Sequence, residues 1–175
     1  MADAVSFRCA SSEDAQPLAL FARRTFISAF QGIAPNEDVL AYAEKEHSNH
    51  AWEALLAASN VKTIVATDPA GIIGYATVTT PPHDNFAASS YDWELLRLYV
   101  EDRAHGRGIG GTLTRQAVDI CTDAGAANVF VGVGSHNKNA IAFYRHIGFK
   151  DCGERMFRIS AQTLIPSVLM KLQLD

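Results

Sequence analysis

Four glycines fall within six positions, at 106, 108, 110 and 111, between the most continuous apolar run of the chain and an amphipathic segment. The run, Trp93–Val100 (WELLRLYV), has the near-unbroken apolar character of a central strand covered on both faces. The segment after the glycines, from about Gly108 to Ala124, puts Leu113, Ala117, Ile120 and Cys121 on one helical face, and Gly125 suits its end. A strand and a helix joined in this way can curl successive N–H groups toward one point. Such a nest at a helix N-terminus takes an anion, most naturally a phosphate. A merely flexible turn seldom leads so directly into an amphipathic helix.

The phosphate is narrowed by what the run lacks. Gly106, Gly108 and Gly111 match GxGxxG letter by letter. The dinucleotide fingerprint, however, follows its strand at once and carries an acid about 20 residues further on. Here Glu101 to His105 stand between Val100 and the first glycine, and Val129 to His136 contains no Asp or Glu. A P-loop is excluded, since no Lys-Ser or Lys-Thr follows the glycines.

The chain of 175 residues suits a single domain at the usual ~100–200 residues per domain. Its 15 Lys+Arg against 19 Asp+Glu give a net charge of −4, no footprint for nucleic acid or an anionic membrane. No apolar run approaches the ~18 residues of a membrane span. MADAVSFRC has no basic region ahead of an apolar stretch, so no signal peptide is expected. Cys9, Cys121 and Cys152 form no CxxC pair and read as reduced thiols, which suits a cytoplasmic protein.

Elsewhere the pattern predicts a first strand at Val5–Cys9 and a helix opened by Ser11, Ser12 and Asp14 as a capping box. Leu18, Phe21, Ala22, Phe26 and Ala29 form its apolar stripe, and Gly32 and Pro35 end it. Asn36-Glu37-Asp38 caps a second helix to about Glu46, and Ser48 a third through Ala58. Thr63–Thr67 and Ile72–Thr80 read as a hairpin turned at Asp68-Pro69-Ala70-Gly71, followed by a polar loop, Pro81–Ser90. Val129–Val133 is a further strand and Asn139–Ile147 a short helix. Phe149–Arg158 with Val168–Leu174 closes the sheet as a hairpin. Helices first, then strands mixed with helices, predict an α/β (α+β) sandwich with a mixed sheet.

At this point the residues resemble a known family, the GCN5-related N-acetyltransferases (GNAT). Its motif Q/R-x-x-G-x-G/A begins five residues after the fourth strand. Counted from Val100, it falls on His105-Gly106-Arg107-Gly108-Ile109-Gly110, with His105 in place of Gln/Arg. A second signature, N-x-x-A-x-x-x-Y-x-x-x-G-F, is met by Asn137, Ala140, Tyr144, Gly148 and Phe149. The resemblance implies a mixed central sheet of about 6–7 strands flanked by helices on both faces, in one domain spanning the chain. It also implies acetyl-CoA as co-substrate and no metal. Its pyrophosphate would take hydrogen bonds from the backbone of Gly106 to Gly111, with His105, Arg107, Ile109 and Gly110 within that stretch. Its pantetheine arm would run along Leu98, Tyr99 and Val100, and Asn137 would contact it or a bound water.

More narrowly, RLYV, GRGIG, NAIAFYRHIGF and the terminal MKL resemble bacterial spermidine/spermine-type acetyltransferases, which implies a polyamine acceptor. Those relatives tend to carry Trp and Glu near Phe130 and His136, and an Asp where this chain has Ile165-Pro166.

Acetyl transfer to an amine has two proton problems. An ammonium of pKa about 10 must lose a proton before it attacks, and a departing thiolate, of thiol pKa about 8.5, leaves better if protonated. Glu94 is the expected base. A charged residue in an apolar central strand is costly unless it faces a cavity or a partner, and histone-modifying members of the family carry a strand-borne glutamate there. Asp92, two residues away on the same face, is its alternate. Tyr144 is the acid that the signature implies; a core aromatic beside Phe143 is the other reading. His105 and His136 border the same site and could relay a proton, although exposed or structural histidines are commoner. His47 and His50 have i,i+3 spacing but no third ligand in view. The acidic run Glu37, Asp38, Glu44 and Glu46 would attract a cation or simply face solvent. The acceptor that the resemblance implies is a small-molecule primary amine. A protein N-terminus or lysine, or a non-catalytic acyl-CoA sensor, are the alternatives. An exposed sheet edge would support a homodimer.

Overall fold

The computed structural model describes residues 4–82 and 89–174, so the expected loop Pro81–Ser90 falls largely outside the described residues. Strand β1 (Ser6–Cys9) leads to a 3-10 turn whose capping box has Asp14 accepting the Ser11 N–H at 2.7 Å. Arg8 clamps the same carboxylate from outside through two hydrogen bonds of 2.7 Å. Helix α1 (Ala15–Phe30) follows, burying Leu18, Phe21, Ala22 and Phe26. Helix α2 (Asn36–Glu46) starts where expected, but Pro35, not Asn36, holds the cap position, and no side chain caps it. Ser48 caps α3 (Asn49–Ala57), accepting the Ala51 N–H at 3.1 Å.

Among the described residues seven strands form one sheet, in the order β1-β2-β3-β4-β5-β7-β6. β2 (Val61–Asp68) and β3 (Gly71–Thr79) are the expected hairpin, turned where Asp68 Oδ1 accepts the Ala70 N–H. After β4 (Asp92–Val100) come α4 (Ile109–Asp123), β5 (Asn128–Gly134), α5 (Lys138–His146), β6 (Lys150–Arg158) and β7 (Leu164–Gln173). Every pairing is antiparallel except β4 with β5. The sheet is thus mixed, as expected, and β1 and β6 are the edges on which the expected homodimer would draw.

The last strand starts at Leu164, not at Val168, and holds Pro166 within it. A residue's N–H and C=O point to the same side of a strand. Pro166 offers its carbonyl to Ser135 N at 2.8 Å, just past the last β5 pair, Gly134↔Ser167. Its missing N–H therefore falls beyond the end of β5 and breaks no ladder to β6.

Alternation sorts the side chains onto two faces. Ala76, Val78, Trp93, Leu95, Val129 and Val131 pack under Leu113, Ala117 and Cys121 of α4 and Ile141 and Tyr144 of α5. Val65 and Tyr75 face the other way, onto Leu18, Phe21 and Ala22 of α1 and Trp52 of α3. Helices cover both faces, so WELLRLYV is the doubly buried strand its composition suggested.

Two irregularities in β4 shape everything that follows. Opposite β3 the register jumps from Thr77↔Arg97 to Val78↔Leu95, so Leu96 is the extra residue of a bulge. Opposite β5 the pairing covers only Asp92↔Asn128, Trp93↔Val129 and Glu94↔Phe130. Beyond Glu94 the two parallel strands part.

Candidate active site

Where β4 leaves β5, a groove of about 1210 Å³ opens. One wall is Leu98, Tyr99 and Val100; another is Asn137, Ala140 and Phe143 of α5; Thr25, Ser28 and Ala29 of α1 lie across from them. Its floor is the glycine turn. Gly106 and Gly108 have φ of +74° and +76°, the left-handed region that a Cβ disfavours. Gly108 is the N-cap of α4, with no side-chain cap and no acid in the first turn. The first intrahelical bond of this end is Thr112 N–H to Gly108 O, at 3.0 Å. The N–H groups of Ile109, Gly110 and Gly111 are thus the unsatisfied donors of a helix start, aimed where an anion would gain from the helix dipole.

Every residue expected to hold the co-substrate lines this groove except Arg107, which is exposed. His105 turns back on the strand: its Nε2 lies 2.8 Å from Val100 O and ties the turn to the end of β4. Asn137 caps α5, accepting the Ala140 N–H at 3.0 Å, and stands on the groove wall as well.

Tyr144 is buried in the core, its ring 5.1 Å from that of Phe143 and 5.4 Å from that of Phe149. Burial pushes its phenol well above the ordinary range, and the neighbouring Tyr99 adds in the same sense, so it holds its proton at neutral pH. Burial also raises Tyr99, to about 12, against the opposing charge of Arg97.

Glu94 is 2% exposed, in the middle of the sheet. Arg155 of β6 reaches it, donating from Nη1 to Oε1 at 2.8 Å. The guanidinium gets there by crossing Gly132 of β5, where a Cβ would lie 3.0–3.1 Å from Arg155 Cδ, Nε and Cζ. Asp92 is otherwise engaged, accepting the Ser89 N–H at 2.6 Å and the Asn128 amide at 2.8 Å. It pins the start of β4 to β5. His136 is exposed, and its ring stands 6.3 Å from that of Phe30, beside the helical layer of α1 and α2.

His47 and His50 do not converge. His47 is buried among Phe26, Tyr42 and Trp52, whereas His50 is exposed with Nδ1 3.9 Å from Glu53. Burial, and then the charge of Arg97, push His47 down to about 3. Sequence reasoning passed over Arg97 and Arg155. For Arg97 the signal was available: it is a charged residue inside WELLRLYV, as Glu94 is. Arg155 lies on an exposed edge strand, where an arginine attracts no notice.

With this geometry in place, likeness to known proteins becomes informative. The chain matches the model of the Acetyltransferase (GNAT) family over residues 24–149. It is 30% identical over 148 residues to an uncharacterized N-acetyltransferase of Mycobacterium bovis, covering 85% of this chain and 90% of that one. In fold it is similar to the PaiA N-acetyltransferase of Thermoplasma acidophilum, solved in complex with coenzyme A. That likeness has a TM-score of 0.80 at 20% identity and covers 98% of this chain and 99% of that one. YncA of Salmonella typhimurium, a putative acetyltransferase solved with acetyl-CoA, superposes with a TM-score of 0.68 at 18% identity, over 98% of this chain and 95% of that one. The parted central strands, the glycine turn and the family match over most of the chain agree: this protein belongs to the GNAT family of acetyltransferases.

Proposed function

We propose that the protein transfers the acetyl group of acetyl-CoA to a primary amine of a small molecule. The observation that carries this reading is the open edge of β4 beyond Glu94, running into the uncapped start of α4. An extended pantetheine arm would take the place of the missing strand, and the N–H groups of the turn would take the pyrophosphate. The groove residues fit such a ligand: donors at one end, an extended apolar wall at the other, and no acid in the first turn of α4.

In this reading Glu94 accepts a proton from the substrate ammonium. The freed amine attacks the thioester carbonyl, forming the C–N bond as the C–S bond breaks. Tyr144 donates its phenolic proton to the departing sulfur and recovers one from the attacking nitrogen. The balance is one ammonium and one thioester giving one amide, one thiol and one proton. In the folded protein Glu94 is paired with Arg155 at 2.8 Å, away from solvent.

A polyamine acceptor, implied by the narrower resemblance, has thinner support. Of the acidic run, Asp38 accepts the Thr163 hydroxyl at 2.5 Å, and Glu46 stands 3.1 Å from Lys45. Glu37 and Glu44 are exposed. The test is release of coenzyme A thiol from acetyl-CoA against a panel of small amines and short peptides. Acceptor-dependent release with small amines supports the reading; release with peptides alone moves the acceptor to proteins, and acetyl-CoA binding without release makes the protein a sensor.

A further inference from the structure

Arg97 stands three residues beyond Glu94 on β4, and a regular strand would send the two side chains to opposite faces. The bulge at Leu96 undoes that alternation. Leu95 belongs to the α4–α5 core, while the Arg97 guanidinium carbon lies 5.3 Å from the Trp52 ring centroid, under α3. Glu94 and Arg97 therefore share the face that the first three helices cover.

The two cations of this face differ. Arg155 is paired with Glu94 at 2.8 Å. Arg97 is half-buried, and among the described residues its guanidinium makes no ion pair and no hydrogen bond. Both charges act on the Tyr42 hydroxyl of α2, which burial raises and both arginines oppose, so both lie on the side of the sheet that α2 covers. The carboxylate that acts on Tyr42 in the opposite sense, Glu46, is beside Lys45 at 3.1 Å. Around Trp52, three buried polar atoms have no hydrogen-bond partner among the described residues: Trp52 Nε1, Tyr75 Oη and His47 Nδ1.

A guanidinium left without an anion on a half-buried face is costly, and its planar fork matches a carboxylate. A dication brought to the same place would meet uncompensated positive charge instead. We infer that Arg97 anchors a carboxylate of the acceptor, so that the substrate is an amino acid rather than a polyamine. This rests on the acetyl-transfer reading above. The amine would then lie toward Glu94 and the carboxylate toward Arg97, about 10 Å further along β4 at the Cα level, with the two side chains closing the interval. Arg97 takes no part in bond making; it sets which amine is presented.

The test compares the proteinogenic amino acids with the amines left when their carboxylate is removed, and with spermidine, by coenzyme A release. The wild type is expected to favour one or more amino acids over the matching amine by about 10–100-fold in kcat/KM, the range for a hydrogen bond to a charged group. Arg97→Gln should erase that preference through KM for the amino acid, leaving the acetyl-CoA Kd unchanged, and Arg97→Lys should restore part of it. Preference for spermidine or the decarboxylated amines overturns the inference. So does a preference that survives Arg97→Gln, or absence of transfer to any amino acid while acetyl-CoA binds by calorimetry. Absence of acetyl-CoA binding defeats the acetyl-transfer reading itself. If Arg97→Gln does not fold, the des-amino acid of the best substrate decides on the wild type: competitive inhibition against that substrate supports the inference, and none overturns it.

Discussion

Arg155 Nη1 and Glu94 Oε1 meet at 2.8 Å across the backbone of Gly132, joining the edge strand β6 to the central strand β4 over two intervening strands. The pair is 16% and 2% exposed at its two side chains, so neither charge is well hydrated. Removing one member of such a pair costs more than removing both.

Arg155→Met should accordingly lower stability by about 3 kcal/mol, because the Glu94 carboxylate loses its guanidinium while remaining buried. The double variant Arg155→Met/Glu94→Gln should recover most of that loss. Urea unfolding of the four proteins of the cycle checks it, and an additive double variant would mean that the pair is not coupled.

Tyr144→Phe keeps the ring that packs on Phe143 and Phe149 and removes only the hydroxyl. Turnover is expected to fall by roughly 10²-fold or more, the usual scale for a general acid, with acetyl-CoA affinity little changed. Steady-state kinetics beside calorimetry separates the two quantities, and unchanged turnover would remove Tyr144 as the acid.

Gly108 and Gly125 offer a matched pair, with φ of +76° and +77° at opposite ends of α4 and no atom within 4 Å of an added Cβ. Alanine at either should cost about 1–2 kcal/mol from the left-handed backbone alone. Only Gly108→Ala should also weaken acetyl-CoA binding, by about tenfold or more, because it disturbs the donors of the turn. Equal Kd values for the two variants would sink the phosphate-cradle reading.

His47, held near 3 in the folded protein, has an ordinary value of about 6.5 when unfolded. As pH falls from about 6.5 toward 3, the unfolded chain takes up a proton that the folded one refuses. Stability is therefore complete above that window and declines within it, by about 1.4 kcal/mol per pH unit at most. His47→Leu should flatten the slope between about pH 6.5 and pH 4.5, measured as urea midpoints. It should cost little at neutral pH, since among the described residues Nδ1 has no partner to lose.

Element order, the mixed sheet and the glycine turn were all legible in the sequence, because each rests on local periodicity or on residues with unusual backbone freedom. The groove residues at 98–100, at 105, 106 and 108–111, and at Asn137 were legible for the same reason: strand end, turn and helix start are contiguous. The charged cluster beyond Glu94 was not. Arg155 reaches Glu94 from 61 residues away, over a glycine whose significance appears only once β6 and β5 lie in one sheet. Arg97 was hidden by a bulge: strict alternation puts it opposite Glu94, and one extra residue brings it alongside. Pro166 misled in the opposite direction. A proline usually argues against an inner strand, yet this one lies just where β5 has run out.

The three residue pairs between β4 and β5 have a mechanical consequence. A sheet seamed so briefly across its middle behaves as two plates, β1–β4 and β5–β7, and the seam is where bending is easiest. An extended molecule lying in the gap would act as a rivet, lending its own amides to a ladder the polypeptide leaves unfinished. Ligand bound to the folded form alone stabilises by about 2.7 kcal/mol at a hundredfold excess over Kd. A protein built this way would be stiffest while charged with its acyl donor, and slackest in the interval between release of one thiol and capture of the next.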